Sequence, residues 1–346
     1  MTGDPNLHPI LRLAPAKLNL TLAVRGQRPD GYHDLHSVMV PLGLADVVSV
    51  AWAAGTDDTL AVVGFDAGPV AANLVLAAIG VVRAACHATL GPGHATPALA
   101  ARLEKRIPVA AGLAGGSSDA AAAIDAALEA WGADRALDPG SLADLRGAVA
   151  ARIGSDVPFF LAGGAAVVTG RGEGVEPLPP LRGPAPGILL VTPAVPVPTP
   201  AVFAALHGGP AGASPDPGAT ARTSEHLAVE WRGGLRTDAL VARAGVLASA
   251  NDLVNAAVVT VPGLRELRRG LVRRLTRPVG LSGSGPTLWV LYASLAEAAT
   301  AAEAVRAGLA DGSIVAPGAA RPSIVATTIT ASGPAPEAGS GQGGTA

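Results

Sequence analysis

The chain has one cysteine, Cys86, among its 346 residues, which excludes an internal disulfide framework and any zinc site built from several thiolates. It also has almost no net charge. Lys and Arg number 25 against 27 Asp and Glu, leaving −2, so there is no basic field for nucleic acid or an anionic membrane, and any polyanion must be held by a local site. Long apolar runs are missing: the alanine-rich stretches are cut by Asp119, Asp125 and Glu129, or by Arg83 and His87, short of membrane-spanning length. The first residues lack the basic segment and apolar run of a secretory signal. The seven histidines form no HExxH or similarly spaced ligand cluster, which argues against catalytic zinc. What remains is 49% hydrophobic residues and enough length for two domains, so the expectation is a cytoplasmic globular protein.

Periodicity organises the chain. Residues 10 to 24 alternate as strands around Ala14-Pro15-Ala16, with a hairpin connection from Arg25 to Gly31 and extended pieces at Ser37 to Val40 and Asp46 to Ala51. Helical spacing covers Asn73 to Ala88, and a strand from Leu99 ends at Pro108. A glycine-rich loop from Ala110 to Ser118 then leads into a helix from Asp119 to Trp131. Leu142 to Ile153 is a further helix, and GSDVPFFLAGGAAVVTG reads as a turn followed by a glycine-interrupted hairpin. Pro177 to Pro186 reads as a linker, and Gly208 to Ala219 as a mobile loop. A second set of elements starts at Ile188, with helices near Pro200 to Leu206, Leu235 to Ala242, Leu264 to Leu275 and Leu295 to Ala310. The expected division is an N-terminal domain at 1–176, a linker at 177–187, a C-terminal domain at 188–330 and a disordered tail at 331–346.

The strongest local signal is PVAAGLAGGSS, comprising Pro108, Val109, Ala110, Ala111, Gly112, Leu113, Ala114, Gly115, Gly116, Ser117 and Ser118. A strand before it and a helix after it turn several backbone N–H groups and the positive end of a helix toward one point, as phosphate binding requires. Its glycines permit close approach; Ser117, Ser118 and Asp119 are natural helix caps, and the serine hydroxyls would also reach a phosphate or a magnesium-bound water. The segment fits neither G-x-x-x-x-G-K-[ST] nor G-x-G-x-x-G, and a purely structural glycine turn is the competing reading. Lys17, in APAKLNL, reads as a cation for a transferring phosphoryl group or as a solvent-facing lysine. Asp156, in GSDVPFF, is a cap or turn residue, or else the acceptor of an alcohol's proton, kept ionised by a close Lys17. LSGSGP, from Leu281 to Pro286, is a second glycine-serine turn that would close a cleft from the other side. Tyr32 and His33, in RPDGYHDLHS, are an incidental turn pair or a stacking ring and a polar imidazole for a nucleobase.

Taken in order, PAKLNL, RPDGYHDLHS, PVAAGLAGGSSDAAAA, GSDVPFF and LSGSGP resemble the GHMP kinase superfamily, and in their wording the 4-diphosphocytidyl-2-C-methyl-D-erythritol kinases within it, over residues 10–328. The resemblance implies an α+β fold, an α/β two-domain sandwich, with an N-terminal domain like the second domain of ribosomal protein S5 and a ferredoxin-like C-terminal domain. It implies transfer of the ATP γ-phosphoryl group to the 2-hydroxyl of 4-diphosphocytidyl-2-C-methyl-D-erythritol, giving the 2-phosphate and ADP in the non-mevalonate isoprenoid pathway. Another small-molecule kinase of the superfamily, such as homoserine or mevalonate kinase, is the alternative. Carried onto matching positions, Asp156 would be the general base and Lys17 its electrostatic partner, while Asn19 would orient the acceptor. Tyr32 would stack on the cytosine, His33 would hydrogen-bond it, and Thr199 in the PTP turn would hold the acceptor from the second domain. Pro108 to Ser118 would wrap the ATP phosphates, with Asn73 and Lys105 near the adenine. Ala110 and Ala114 stand where relatives often carry glycine, and Asn251-Asp252-Leu253 matches a family feature without an assigned role. Magnesium is expected on the nucleotide phosphates with no protein ligand set. No nucleic-acid or membrane partner is expected, and the assembly is expected to be a monomer or weak homodimer.

Overall fold

Apolar residues at alternating positions of a few long extended segments build the first layer. The structure is a computed structural model that describes residues 8–209, 211–214 and 216–330; the tail expected from residue 331, and Pro210 and Pro215 of the expected 208–219 loop, lie outside these. The first half contains β1 (Ile10–Asn19), β2 (Ala23–Gln27), β3 (His33–Trp52), β4 (Thr59–Gly64), α1 (Leu74–Leu90), β5 (Leu99–Lys105), α2 (Gly115–Ala130), α3 (Ala133–Ala136), α4 (Pro139–Ile153), α5 (Val157–Ala162), β6 (Ala166–Gly170) and β7 (Gly174–Pro177). The second half contains β8 (Gly187–Thr192), α6 (Thr199–His207), α7 (Pro217–Arg232), α8 (Thr237–Ala242), α9 (Ala244–Leu247), α10 (Val254–Thr260), α11 (Leu264–Leu275), β9 (Gly280–Leu281), β10 (Leu288–Tyr292), α12 (Leu295–Ala310) and β11 (Ser323–Thr328).

The first sheet runs β4-β5-β3-β6-β7, with β1 and β2 also paired to β3. Its β4–β5 ladder is parallel and the others are antiparallel. The two extended pieces expected between Ser37 and Ala51 form one strand of 20 residues. Pro41 lies opposite Lys17, beside a register shift between Pro15 and Lys17, and a strand tolerates proline at such an irregularity. On one face, Val48, Val50, Leu99 and Leu103 meet Val75, Ile79 and Val82 of α1 and the alanines of α2. Helix α2 is buried around most of its circumference, which its small side chains allow because neighbouring elements can approach closely.

The second sheet, β11-β8-β10-β9, is antiparallel throughout. Every residue of β8 is buried because both of its faces are covered. Leu189 and Val191 pack with Leu264 and Leu267 of α11 and Val305 of α12, whereas Ile188 and Leu190 pack with Leu18, Val38 and Leu42 of the first sheet. That shared core also takes Leu113 from the glycine loop and Trp231 from α7, so the glycine loop sits at the seam between the sheets. Two expectations are corrected by local helix: α5 occupies the segment read as a turn after Asp156, and α7 begins within the expected mobile loop. Among the described residues, no helix is long and apolar enough to cross a membrane.

Candidate active site

The glycine loop connects β5 to α2, and α2 starts earlier than expected. Ala114 is its N-cap and Gly115 its first residue, so Ser117, Ser118 and Asp119 lie inside the first turns rather than capping them. Ala110 and Ala114 both have φ of +53°, the left-handed region that glycine enters with least strain. The Ser118 N–H donates to the Ala114 carbonyl at 3.1 Å, which leaves the N–H groups of Gly115, Gly116 and Ser117 without a carbonyl inside the helix. These three residues line a cavity of about 600 Å³, and the helix dipole adds positive potential there. Two loop side chains point elsewhere, a correction to the idea that the whole segment faces one ligand. Leu113 is in the shared apolar core, and Ser118 turns to the other side of α2, where its buried hydroxyl has no partner among the described residues.

Lys17 lies just past the irregularity in β1 and is 4% exposed. Its ammonium donates to Asn19 Oδ1 at 2.6 Å and to the Gly112 carbonyl at 2.7 Å, leaving one N–H for a ligand. The Asn19 amide donates to Ser37 Oγ at 2.8 Å, and Ser37 donates to the Thr21 carbonyl at 2.6 Å, so both ends of the Asn19 side chain are engaged and only its oxygen holds Lys17. Burial lowers the Lys17 pKa below its usual 10.5, with the negative charge of Asp156 opposing the shift. Lys17 and Asp156 line the same cavity. No ion pair joins them among the described residues, and the charge of Asp156 acts on Lys17 without a direct contact. Asp156 precedes α5 without making a capping hydrogen bond, which leaves its carboxylate to the cavity.

The second glycine loop closes over the first. Ser282 Oγ donates to the Gly112 carbonyl at 2.9 Å. A Cβ on Gly112, where φ is +74°, would run into the Ser282 and Gly285 carbonyls, and one on Gly283, where φ is +57°, would stand 3.2 Å from Lys17 Nζ. Gly112 therefore needs glycine for space as well as for conformation, whereas at Gly283 a methyl group would press mainly on the end of the Lys17 side chain. Asn251 Nδ2 donates to the carbonyls of Leu281 at 3.0 Å and Gly283 at 2.9 Å, while Asp252 Oδ2 accepts the Val24 N–H at 2.8 Å. The segment whose role was not legible in the sequence thus fastens the second loop to the start of β2.

A second cavity, of about 700 Å³, adjoins the first and shares Ser117, Asp156, Thr199 and Phe203 with it. Tyr32 is 53% exposed on its wall, with the Arg171 guanidinium 4.8 Å from the ring centre. His33 stacks on Phe203 at 4.4 Å, and its Nε2 lies 2.7 Å from Nε2 of His207. Burial first, and the charge of His207 second, lower the His33 pKa. Sequence reasoning missed Phe203 and His207, although their i, i+4 spacing after Thr199 places them on one face of α6; Arg171 carried no comparable signal. Thr199 Oγ1 lies 3.0 Å from Ser284 Oγ, tying α6 to the second glycine loop. Asn73 caps α1 by accepting the Val75 N–H at 3.0 Å and lines the first cavity together with Lys105. The Lys105 ammonium, however, is already held by Asp46 and, at 2.8 Å, by Asp119. Burial raises the Asp119 pKa to about 7, with Lys105 opposing that shift and Asp46 adding to it.

Residues 73–164 match the GHMP kinases N terminal domain and residues 238–311 the GHMP kinases C terminal family. The 4-diphosphocytidyl-2-C-methyl-D-erythritol kinase of Pelotomaculum thermopropionicum is 38% identical over 292 residues, covering 84% of this chain and 91% of that protein. A crystal structure of 4-(cytidine 5'-diphospho)-2C-methyl-D-erythritol kinase matches with a TM-score of 0.63 at 31% identity, covering 92% of this chain and 99% of the other. Homoserine kinase from Cytophaga hutchinsonii matches with a TM-score of 0.62 over 96% of this chain and 98% of its own. At 18% identity it shares the fold alone.

Proposed function

The chain belongs to the 4-diphosphocytidyl-2-C-methyl-D-erythritol kinases of the GHMP superfamily, and from that membership we propose how its two cavities divide the work of phosphorylating 4-diphosphocytidyl-2-C-methyl-D-erythritol with ATP. The first cavity takes the nucleotide. Its phosphates lie against the open N–H groups of Gly115, Gly116 and Ser117, and the remaining N–H of Lys17 meets the transferring group. The second cavity takes the acceptor, with its cytosine between Tyr32 and the His33–Phe203 stack and its alcohol directed at Asp156. The 2-hydroxyl oxygen forms a bond to the γ-phosphorus as its proton passes to Asp156. The bond from that phosphorus to the β–γ bridging oxygen breaks, and ADP leaves beside the 2-phosphate product. Magnesium bound to the nucleotide phosphates would neutralise charge on the transferring group. Among the described residues, no group of three His, Cys, Asp or Glu stands together as a metal ligand set, and Ser117, which lines the cavity, would be the residue to hold a metal-bound water through its hydroxyl.

The observation that carries this reading is the position of Asp156 on the wall common to both cavities, the one place from which a carboxylate serves an alcohol approaching a γ-phosphate. The change of sheet between β7 and β8 supports dividing the chain into working units at residues 177–187. The test of function is to supply ATP and magnesium with the cytidylylated methylerythritol, homoserine or mevalonate in turn. Rapid phosphorylation of the first alone is expected. Turnover of homoserine or mevalonate, with none of the cytidylylated alcohol, would overturn the reading.

A further inference from the structure

Beneath the phosphate loop lies a buried charged cluster that the transfer chemistry above does not use. Asp46, in β3, is fully buried and does not line the nucleotide cavity. Its Oδ1 accepts the backbone N–H groups of Arg106 and Ile107, the latter at 2.8 Å, and its Oδ2 accepts from Lys105 Nζ. Lys105 also donates to Asp119 Oδ2 at 2.8 Å, within the first turns of α2. A Cβ on Gly115 would stand 3.0 Å from Lys105 Nζ and 3.1 Å from Ile107 Cγ2, so the start of α2 rests directly on the end of β5. One carboxylate thus holds the chain as it leaves the strand, and the lysine joins that point to the helix on the far side of the loop.

We propose that Asp46, Lys105 and Asp119 are a clamp on the two ends of the phosphate loop, and that Asp46 is a positioning residue for ATP which never touches the nucleotide. Burying a lysine between two carboxyl groups costs folding free energy that a well-packed apolar trio would not, so stability alone does not account for the cluster, whereas fixed geometry does. The loop itself supplies an independent sign that its ends are held. Ala110 and Ala114 both keep a left-handed backbone, and a non-glycine residue persists there only where the surrounding structure determines the path of the chain. With the clamp intact, the N–H groups of Gly115, Gly116 and Ser117 converge on one point. With it loosened, they disperse while the acceptor cavity keeps its walls.

The clamp rests on the reading of the first cavity as the ATP site, and the test separates the two ideas. Calorimetric dissociation constants for ATP and for the acceptor, with turnover at saturation of both, are compared in the wild type and in Asp46→Asn, whose fold is checked by circular dichroism. Asparagine keeps an oxygen for the two backbone N–H groups but removes the charge that holds Lys105. The expected result is an ATP Kd raised about tenfold, with the acceptor Kd and saturated turnover changed less than about threefold. A folded Asp46→Asn that binds ATP as the wild type does, or that loses ATP and acceptor affinity equally, overturns the clamp. A wild-type protein that binds no ATP overturns the site reading instead. If Asp46→Asn does not fold, Asp46→Ser, which keeps a small oxygen-bearing side chain outside the nucleotide cavity and removes the charge, carries the same expectation and the same contrary outcomes.

Discussion

The two cavities that meet at Asp156 are built by different means. The nucleotide side is made of backbone and of polar groups already fixed in place: Lys17 is held by Asn19 and Gly112, and the second glycine loop is fastened by Asn251. The acceptor side is made of rings on an open surface, with Tyr32 under Arg171 and His33 between Phe203 and His207. The contrast follows from what each recognises. A phosphate is a small, highly charged group that rewards donors already fixed in place, whereas a nucleobase offers a flat face to which rings can adjust. Removing the charge that meets the transferring group should therefore cost rate, and removing a ring from the acceptor side should cost affinity.

Lys17→Met should give the larger departure, lowering turnover by about 10² to 10³ with the fold intact. Its wild-type titration sharpens the same point. The ammonium is the active form and burial lowers its pKa, so the rate should fall as pH rises through a value below 10.5. A pH profile of kcat with no loss until 10.5 or above would place the acting charge elsewhere. On the acceptor side, Tyr32→Ala should remove roughly 1 to 3 kcal/mol of base stacking, seen by calorimetry as a raised Kd for the cytidylylated acceptor and an unchanged one for ATP. A loss confined to ATP would reverse the assignment of the two cavities. The smallest change is expected from Ala114→Gly. Relief of left-handed strain and the added freedom of the unfolded chain nearly cancel, leaving thermal stability within about 1 kcal/mol of the wild type. A larger destabilisation would show that the Ala114 methyl group packs in a way its strained backbone conceals.

Local chemistry made much of this site legible. The glycine loop, the lysine and the carboxylate were each visible because phosphate handling requires those residue types, and the regular helices α1, α11 and α12 followed from apolar spacing. What escaped was set by distant neighbours. The start of α2 was misplaced because Ser117, Ser118 and Asp119 look like caps, whereas packing on Lys105 and Ile107 draws the helix back to Gly115. The two extended pieces expected at Ser37 to Val40 and Asp46 to Ala51 are one strand, because the register shift that accommodates the proline between them lies on another strand. Asp46 was invisible, since a single carboxylate in a strand announces nothing until the fold brings Lys105 to it. Helix α7 was the avoidable miss: Leu227, Ala228 and Trp231 recur at helical spacing and are buried together.

The central claim is that one carboxylate on the shared wall accepts the proton of the alcohol, and Asp156→Asn tests it most directly. The single-turnover rate of phosphoryl transfer is measured by rapid quench with ATP and the cytidylylated acceptor both saturating, after calorimetry has fixed both affinities and circular dichroism the fold. The account predicts nearly unchanged affinities and a rate lower by about 10² to 10⁴; a folded variant that binds both ligands and transfers the phosphoryl group at the wild-type rate would contradict it.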